Sequence, residues 1–248
     1  MDERGSVTAD DRAAGVRVPW TGRDTIVVVA GSFLGGIAAT IAIAWLVGDQ
    51  LAHSGDAGTF LVMIATTAPG VMLVERVCVR RRGAPWCSII GPRVSRGTIA
   101  TMALLASGVL YTNVVVAHVL DPLLPDVDAA IPGMRAQDDL LALFWLLAAF
   151  AVVVPIAEEL VFRGVLYRYA RSRWGVRNGI LVSASVFALV HVHPVSMVGA
   201  FLLGIAAALF FERDDSLYPA IGLHVSYNAL VFLAPYFLAL FSELLAVA

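Results

Sequence analysis

Three short polar stretches, each set inside a long apolar run, are where chemistry is possible in this chain. The first is Ala157-Glu158-Glu159-Leu160-Val161-Phe162-Arg163, the second Phe187-Ala188-Leu189-Val190-His191-Val192-His193, the third His224-Val225-Ser226-Tyr227-Asn228. A charged side chain at the centre of a bilayer costs about 2.5–3.5 kcal/mol on insertion scales, so ionisable groups there are functional candidates by default. On a helix, Glu159 and Arg163 are i, i+4 neighbours and can form an ion pair. Glu158 points about 100° away from Glu159, free for a different partner. His224 and Asn228 are again i, i+4 and project together. Together these groups suit water activation: a glutamate in an apolar site acts as general base, and a histidine beside it orients the water or passes on the proton. A second histidine and an asparagine one turn apart can hold a developing oxyanion. No serine or cysteine is paired with these groups, which disfavours a covalent nucleophile. Two histidines and a glutamate can also bind zinc, but the chain has no His-Glu-x-x-His, so a metal mechanism ranks second.

The elements that must position these residues are membrane helices. Of 248 residues, 59% are hydrophobic and only 15% charged, with a mean hydropathy of +0.83. Both figures depart in the same direction from soluble chains. They exclude a disordered chain, a basic nucleic-acid-binding protein and an ordinary soluble enzyme domain. Cys78 and Cys87 fit neither a disulfide framework nor a zinc motif. Apolar runs of spanning length recur at about 25–47, 57–75, 98–120, 139–162, 178–193, 195–211, 217–234 and 236–248. The expected fold is therefore an all-α, polytopic bundle of about eight transmembrane helices, or seven if Pro235 only kinks the last one. Residues 1–24 read as a polar cytoplasmic tail and 25–248 as the bundle. A Gly31/Gly35 pair in the first span matches the helix-packing spacing, though with 21 Gly in the chain chance explains it better.

Every basic residue is Arg, and the arginines alternate by connection. Arg4, Arg12, Arg17 and Arg23 precede the first span; Arg76, Arg80, Arg81, Arg82, Arg93 and Arg96 follow the second. Arg168, Arg171, Arg173 and Arg177 follow the fourth, and Arg213 follows the sixth. The 48–56 connection has none, and the 121–138 connection has Arg135 alone. Positive-inside orientation puts the N-terminus and the Arg-rich connections in the cytoplasm and 121–138 outside. At ~1.5 Å per residue, Glu158, His191 and Asn228 lie roughly 22, 20 and 18 Å from the cytoplasmic ends of their helices, and His224 roughly 12 Å, so the groups can converge on one polar cavity. His53 and His118 lack any such context and take no role. His193 falls outside the spacing pattern, toward the outer interface.

Glu-Glu-x-x-x-Arg, Phe-x-x-x-His and His-x-x-x-Asn, in that order on separate apolar segments, resemble the CPBP family of intramembrane proteases, which includes CAAX prenyl endopeptidases and bacterial Abi (bacteriocin-immunity) proteins. The resemblance covers about residues 140–232. It implies a glutamate-dependent, metal-independent endopeptidase without a cofactor, in which Glu158 is the base, His191 its partner, His224 and Asn228 the oxyanion site, and Glu159 with Arg163 a supporting pair. The implied partners are the lipid bilayer and a membrane-associated protein or peptide substrate, either a CAAX-type target or a bacteriocin or peptide precursor, and no nucleic acid. The short, all-Arg chain itself points to a bacterium, so the expected location is as an integral protein of a bacterial plasma membrane. A non-catalytic immunity or scaffold protein and a proton-coupled transporter are the competing readings; a transporter of this size is expected to show inverted repeats, and none is visible.

Overall fold

The computed structural model describes residues 18–47, 55–92, 97–120 and 140–247. The expected 121–138 outer connection and most of the 1–24 tail lie outside the described residues. Among the described residues every regular element is helical. Helix α1 is Gly22–Val47; α2 is Gly55–Leu73, continued by wide i→i−5 turns over Val74–Arg81; α3 is Trp86–Ile90; and α4 is Gly97–Leu120. Helix α5 is built from four joined stretches, Leu140–Leu146, Leu147–Val153, Val154–Glu159 and Leu160–Tyr167, the second and fourth of them wide-turned. It runs straight into α6, Arg168–Leu189, and the real break falls at Gly175, whose φ of 80° and ψ of 172° reverse the chain. An L residue adopts that conformation only with strain, so glycine is needed there. Helices α7, Pro194–Asp214, and α8, Leu217–Val247, complete the chain.

The all-α membrane architecture is as expected, and among the described residues four helices are long and apolar enough to cross a bilayer. The end of the chain decides between the two expected span counts. Helix α8 passes through Pro235 without a break, so residues 236–247 do not form a separate helix, as in the seven-span alternative. A proline inside a helix removes one backbone bond, and membrane helices tolerate that loss more readily than soluble ones.

The Arg-rich ends gather at one end of the bundle. Thr21 and Asp24 form a reciprocal cap at the start of α1: Thr21 N–H and Oγ1 donate to Asp24 Oδ2 at 2.8 and 2.7 Å, and Asp24 N–H donates back to Thr21 Oγ1. Such a box satisfies orphan donors of the first turn. Buried Asp24 also pairs with Arg82 beyond the end of α2. At the same end Arg168 pairs with Asp215 at 3.1 Å and Arg171 with Glu212 at 2.6 Å. Ser216 Oγ reaches Pro92 O at 2.6 Å. Among the described residues, the ends of the Arg-bearing connections thus meet at one end of the bundle.

Small residues set the α1–α2 contact. A Cβ on Gly31 would meet Leu73 at 2.7 Å, one on Gly35 would meet Pro69 at 2.7 Å, and one on Gly36 would meet the Thr66 backbone oxygen at 2.8 Å. Gly31 and Gly35 are therefore packing residues rather than chance occurrences. The Thr66 carbonyl cannot give way as a side chain would, so Gly36→Ala should cost about 1–3 kcal/mol of stability. Gly108→Ala, where nothing lies within 4 Å, should be neutral or mildly stabilising. Thermal unfolding of the two purified variants checks the contrast.

Candidate active site

Glu158 and Glu159, adjacent in sequence, have opposite surroundings. Glu159 is completely enclosed: its Oε1 accepts from Arg163 Nη1 at 2.9 Å and from His224 Nδ1 at 2.8 Å. Arg163 is equally enclosed and stacks on the Phe187 ring, 4.6 Å from its centroid. Glu158 keeps 26% of its side chain exposed, and its Oε2 lies 3.6 Å from His224 Nε2. His224 therefore spans the two carboxylates. Its Nδ1 must carry the proton it gives to Glu159, since a carboxylate only accepts.

Phe187 organises this cluster from α6. Its ring packs edge-on to His191 (centroids 4.8 Å apart) and to His224 (5.6 Å), on top of its contact with Arg163. Its carbonyl accepts from His191 Nδ1 at 2.8 Å. A carbonyl cannot donate, so His191 is protonated on Nδ1, which leaves Nε2 as a lone-pair acceptor when the ring is neutral. The Phe-x-x-x-His spacing is thus one helical turn that fixes a ring by its own backbone.

Beyond His191 the chain makes an i→i+2 turn, with His193 N–H donating to His191 O at 2.5 Å around Val192 at φ 59°. Positive φ on a β-branched residue is strained. The turn corrects the expected place of His193: it lines the site cavity instead of sitting at the outer interface, and its buried Nδ1 has no partner among the described residues.

Asn228 is tied to α5 through a gap in that helix. The donors placed to take the Phe150 carbonyl are at i+4 and i+5. Val154 N–H goes to Ala149 O instead, and Pro155 has no N–H. Asn228 Nδ2 fills the vacancy, donating to Phe150 O at 2.7 Å. One N–H of the amide is thereby committed and one remains.

Glu158, His191, His224 and Asn228 all line one cavity of about 490 Å³, together with His193, Asn113 and Tyr227. Glu159 and Arg163 lie behind it. A second cavity of about 290 Å³ opens between α1, α2 and α5, and Glu158 stands on its wall as well. There the hydroxyls of Ser32, Thr40, Thr66 and Thr67 donate to carbonyls of their own helices, so the lining presents no free donor. Among the described residues no three His, Cys, Asp or Glu side chains come together at metal-binding distances. Asn113, Tyr227 and His193 are the cavity residues that reasoning from spacing passed over. A lone amide midway along the apolar α4, and a tyrosine one turn from His224, were the available signals.

Removing one partner of a buried ion pair leaves a charge uncompensated, at about 3–5 kcal/mol. Glu159→Gln should therefore lower the melting temperature and the yield of folded protein sharply. Replacing both partners, Glu159→Gln with Arg163→Met, should recover part of that loss. Circular dichroism melts of the single and double variants make the comparison.

The comparison with family models matches residues 140–230 to the model described as Type II CAAX prenyl endopeptidase Rce1-like. Comparisons with curated proteins and with solved structures give no match. The matched segment carries all three motifs and every residue named above for the 490 Å³ cavity except Asn113. Residues 140–230 are thus similar to the Rce1-like type II CAAX prenyl endopeptidases, and they lie within helices long and apolar enough to cross a membrane.

Proposed function

We propose that this protein is a glutamate-dependent intramembrane endopeptidase that cleaves a peptide bond of a membrane-associated protein or peptide with a water activated by Glu158 and His191. The supporting observation is the division of labour between the adjacent glutamates. Glu159 is enclosed, with its Oε1 held by Arg163 and His224, whereas Glu158 faces the cavity that His191, His224 and Asn228 also line. Carboxylates in contrasting environments take different roles. A water held between Glu158 and His191 Nε2 gives one proton to Glu158 as its oxygen attacks the substrate carbonyl. The oxyanion is held by the second N–H of Asn228 and, when His224 is doubly protonated, by His224 Nε2–H. Glu158 then returns the proton to the departing amine, and the C–N bond breaks. No metal is needed for this sequence. Glu159 and Arg163 hold His224 in place.

The family implies a lipid-modified CAAX sequence as substrate. The apolar second cavity, with Glu158 on its wall, suits the hydrocarbon part of such a chain. We place the Arg-rich end of the bundle, and with it the N-terminus, in the cytoplasm of a bacterial cell, because that end collects the positive charge. Cys87 is a native reporter at this end, exposed while Cys78 is buried. A membrane-impermeant maleimide should label Cys87 in inverted vesicles and leave it untouched in intact spheroplasts; the reverse result overturns the orientation.

Glu158→Gln should fold like the wild type and cleave about 10²–10⁴-fold more slowly. The measurement is turnover of a quenched fluorescent peptide carrying an S-farnesylated Cys-aliphatic-aliphatic-Xaa end, by purified protein in liposomes. His191→Ala should be similarly impaired. Chelators should leave the wild-type rate intact, whereas a zinc mechanism requires its loss. Full activity in well-folded Glu158→Gln protein rejects the glutamate base. Proton flux coupled to solute uptake, with no peptide product, supports a transporter instead, and an intact cellular phenotype for Glu158→Gln supports a scaffold.

A further inference from the structure

We propose that Tyr227, aimed by Asn113, is a further substrate-contacting donor, whose hydroxyl binds the carbonyl oxygen of the substrate as negative charge develops on it. This inference rests on the endopeptidase reading above. Tyr227 lies three residues from His224 and next to Asn228 on α8. At 100° per residue, positions i, i+3 and i+4 share one face. All three side chains line the 490 Å³ cavity.

The direction of the hydrogen bond to Asn113 decides what Tyr227 can do. Asn113 Nδ2 donates to Tyr227 Oη at 3.1 Å, and Asn113 Oδ1 is buried with no partner among the described residues. The amide turned the other way would bury an unpartnered NH₂ in place of an unpartnered oxygen. Orphaned buried donors are rarer than under-satisfied carbonyl oxygens, so the amide keeps its nitrogen toward the phenol. A phenol that accepts from Asn113 keeps its own proton for another acceptor, and no described protein group takes it.

The amide also packs over a glycine. A Cβ on Gly199 of α7 would lie 2.9 Å from the carbon, the nitrogen and the oxygen of the Asn113 amide. The side chain is thus pressed against bare α7 backbone. Asn228, by contrast, has one N–H committed to Phe150 O. Tyr227 is the cavity residue whose single donor is both oriented and uncommitted.

An oriented donor of this kind acts in the transition state more than in the ground state, so its loss falls on kcat. The test uses full-length protein in liposomes and the S-farnesylated quenched peptide, with Tyr227→Phe, Asn113→Leu, the double variant and Glu158→Gln. Tyr227→Phe should lower kcat about 10²–10³-fold with KM little changed, and should keep the wild-type melting temperature. Asn113→Leu keeps the hydroxyl but frees it to rotate, so its loss in kcat should be smaller. The double variant should be no slower than Tyr227→Phe alone, because Asn113 acts only through the phenol. Wild-type kcat in Tyr227→Phe, or losses that multiply in the double variant, overturn the proposal. If Tyr227→Phe fails to fold, Asn113→Leu decides alone: folded protein with wild-type kcat overturns it. A dead Glu158→Gln beside a fully active Tyr227→Phe rejects this inference and leaves the glutamate reading standing. A wild-type protein that leaves the peptide intact, or an active Glu158→Gln, removes both.

Discussion

The site depends on a charge that has no access to water. Arg163 and Glu159 are both fully enclosed, and taking two ions out of water costs several kcal/mol each unless the surroundings compensate. The compensation comes from three helices. Glu159 Oε1 accepts twice, from Arg163 and from His224 of α8. The Phe187 ring of α6 covers the guanidinium, and Gly204 of α7 leaves space where a Cβ would come within 3.3 Å of Arg163 Nη2. The ion pair is therefore a joint between α5, α6, α7 and α8. The cavity groups inherit their positions from it: His224 is held by Glu159, and His191 by the backbone of the same Phe187 that shields Arg163.

Much of this was legible in the sequence because helices translate spacing into direction. Glu159 with Arg163, Phe187 with His191, and His224 with Asn228 each sit four residues apart, and each pair shares a helix face in the structure. The 100° offset between Glu158 and Glu159 became a difference between cavity wall and closed interior. The charge alternation along the chain became one end of the bundle. These inferences hold because a membrane helix must satisfy its own backbone, which leaves few alternatives to regular periodicity.

What spacing did not reveal depends on contacts between helices or on departures from regular turns. Asn113 and Tyr227 are 114 residues apart, and nothing local marks them as partners. The packing role of Gly31 and Gly35 needs the position of Pro69 and Leu73 on α2. His193 is carried to the cavity by the positive φ of Val192, which a β-branched residue gives no reason to expect. The continuity of α8 through Pro235 was undecidable from composition, since proline is compatible with either a kink or a break.

The bond between Asn228 and Phe150 bears on how the protein is made. The two residues are 78 positions apart, and a chain grows at about 5–20 residues per second. Roughly 4–16 seconds of synthesis therefore separate the carbonyl from the amide that satisfies it. Throughout that interval α5 carries, beside Pro155, an acceptor that hydrocarbon cannot satisfy. Emergence of α8 ends this, and the same helix delivers His224 to Glu159. Removal of the polar defect in α5 and assembly of the cavity are thus one late event, and a chain stalled before residue 224 carries the carboxylates without the groups that complete them.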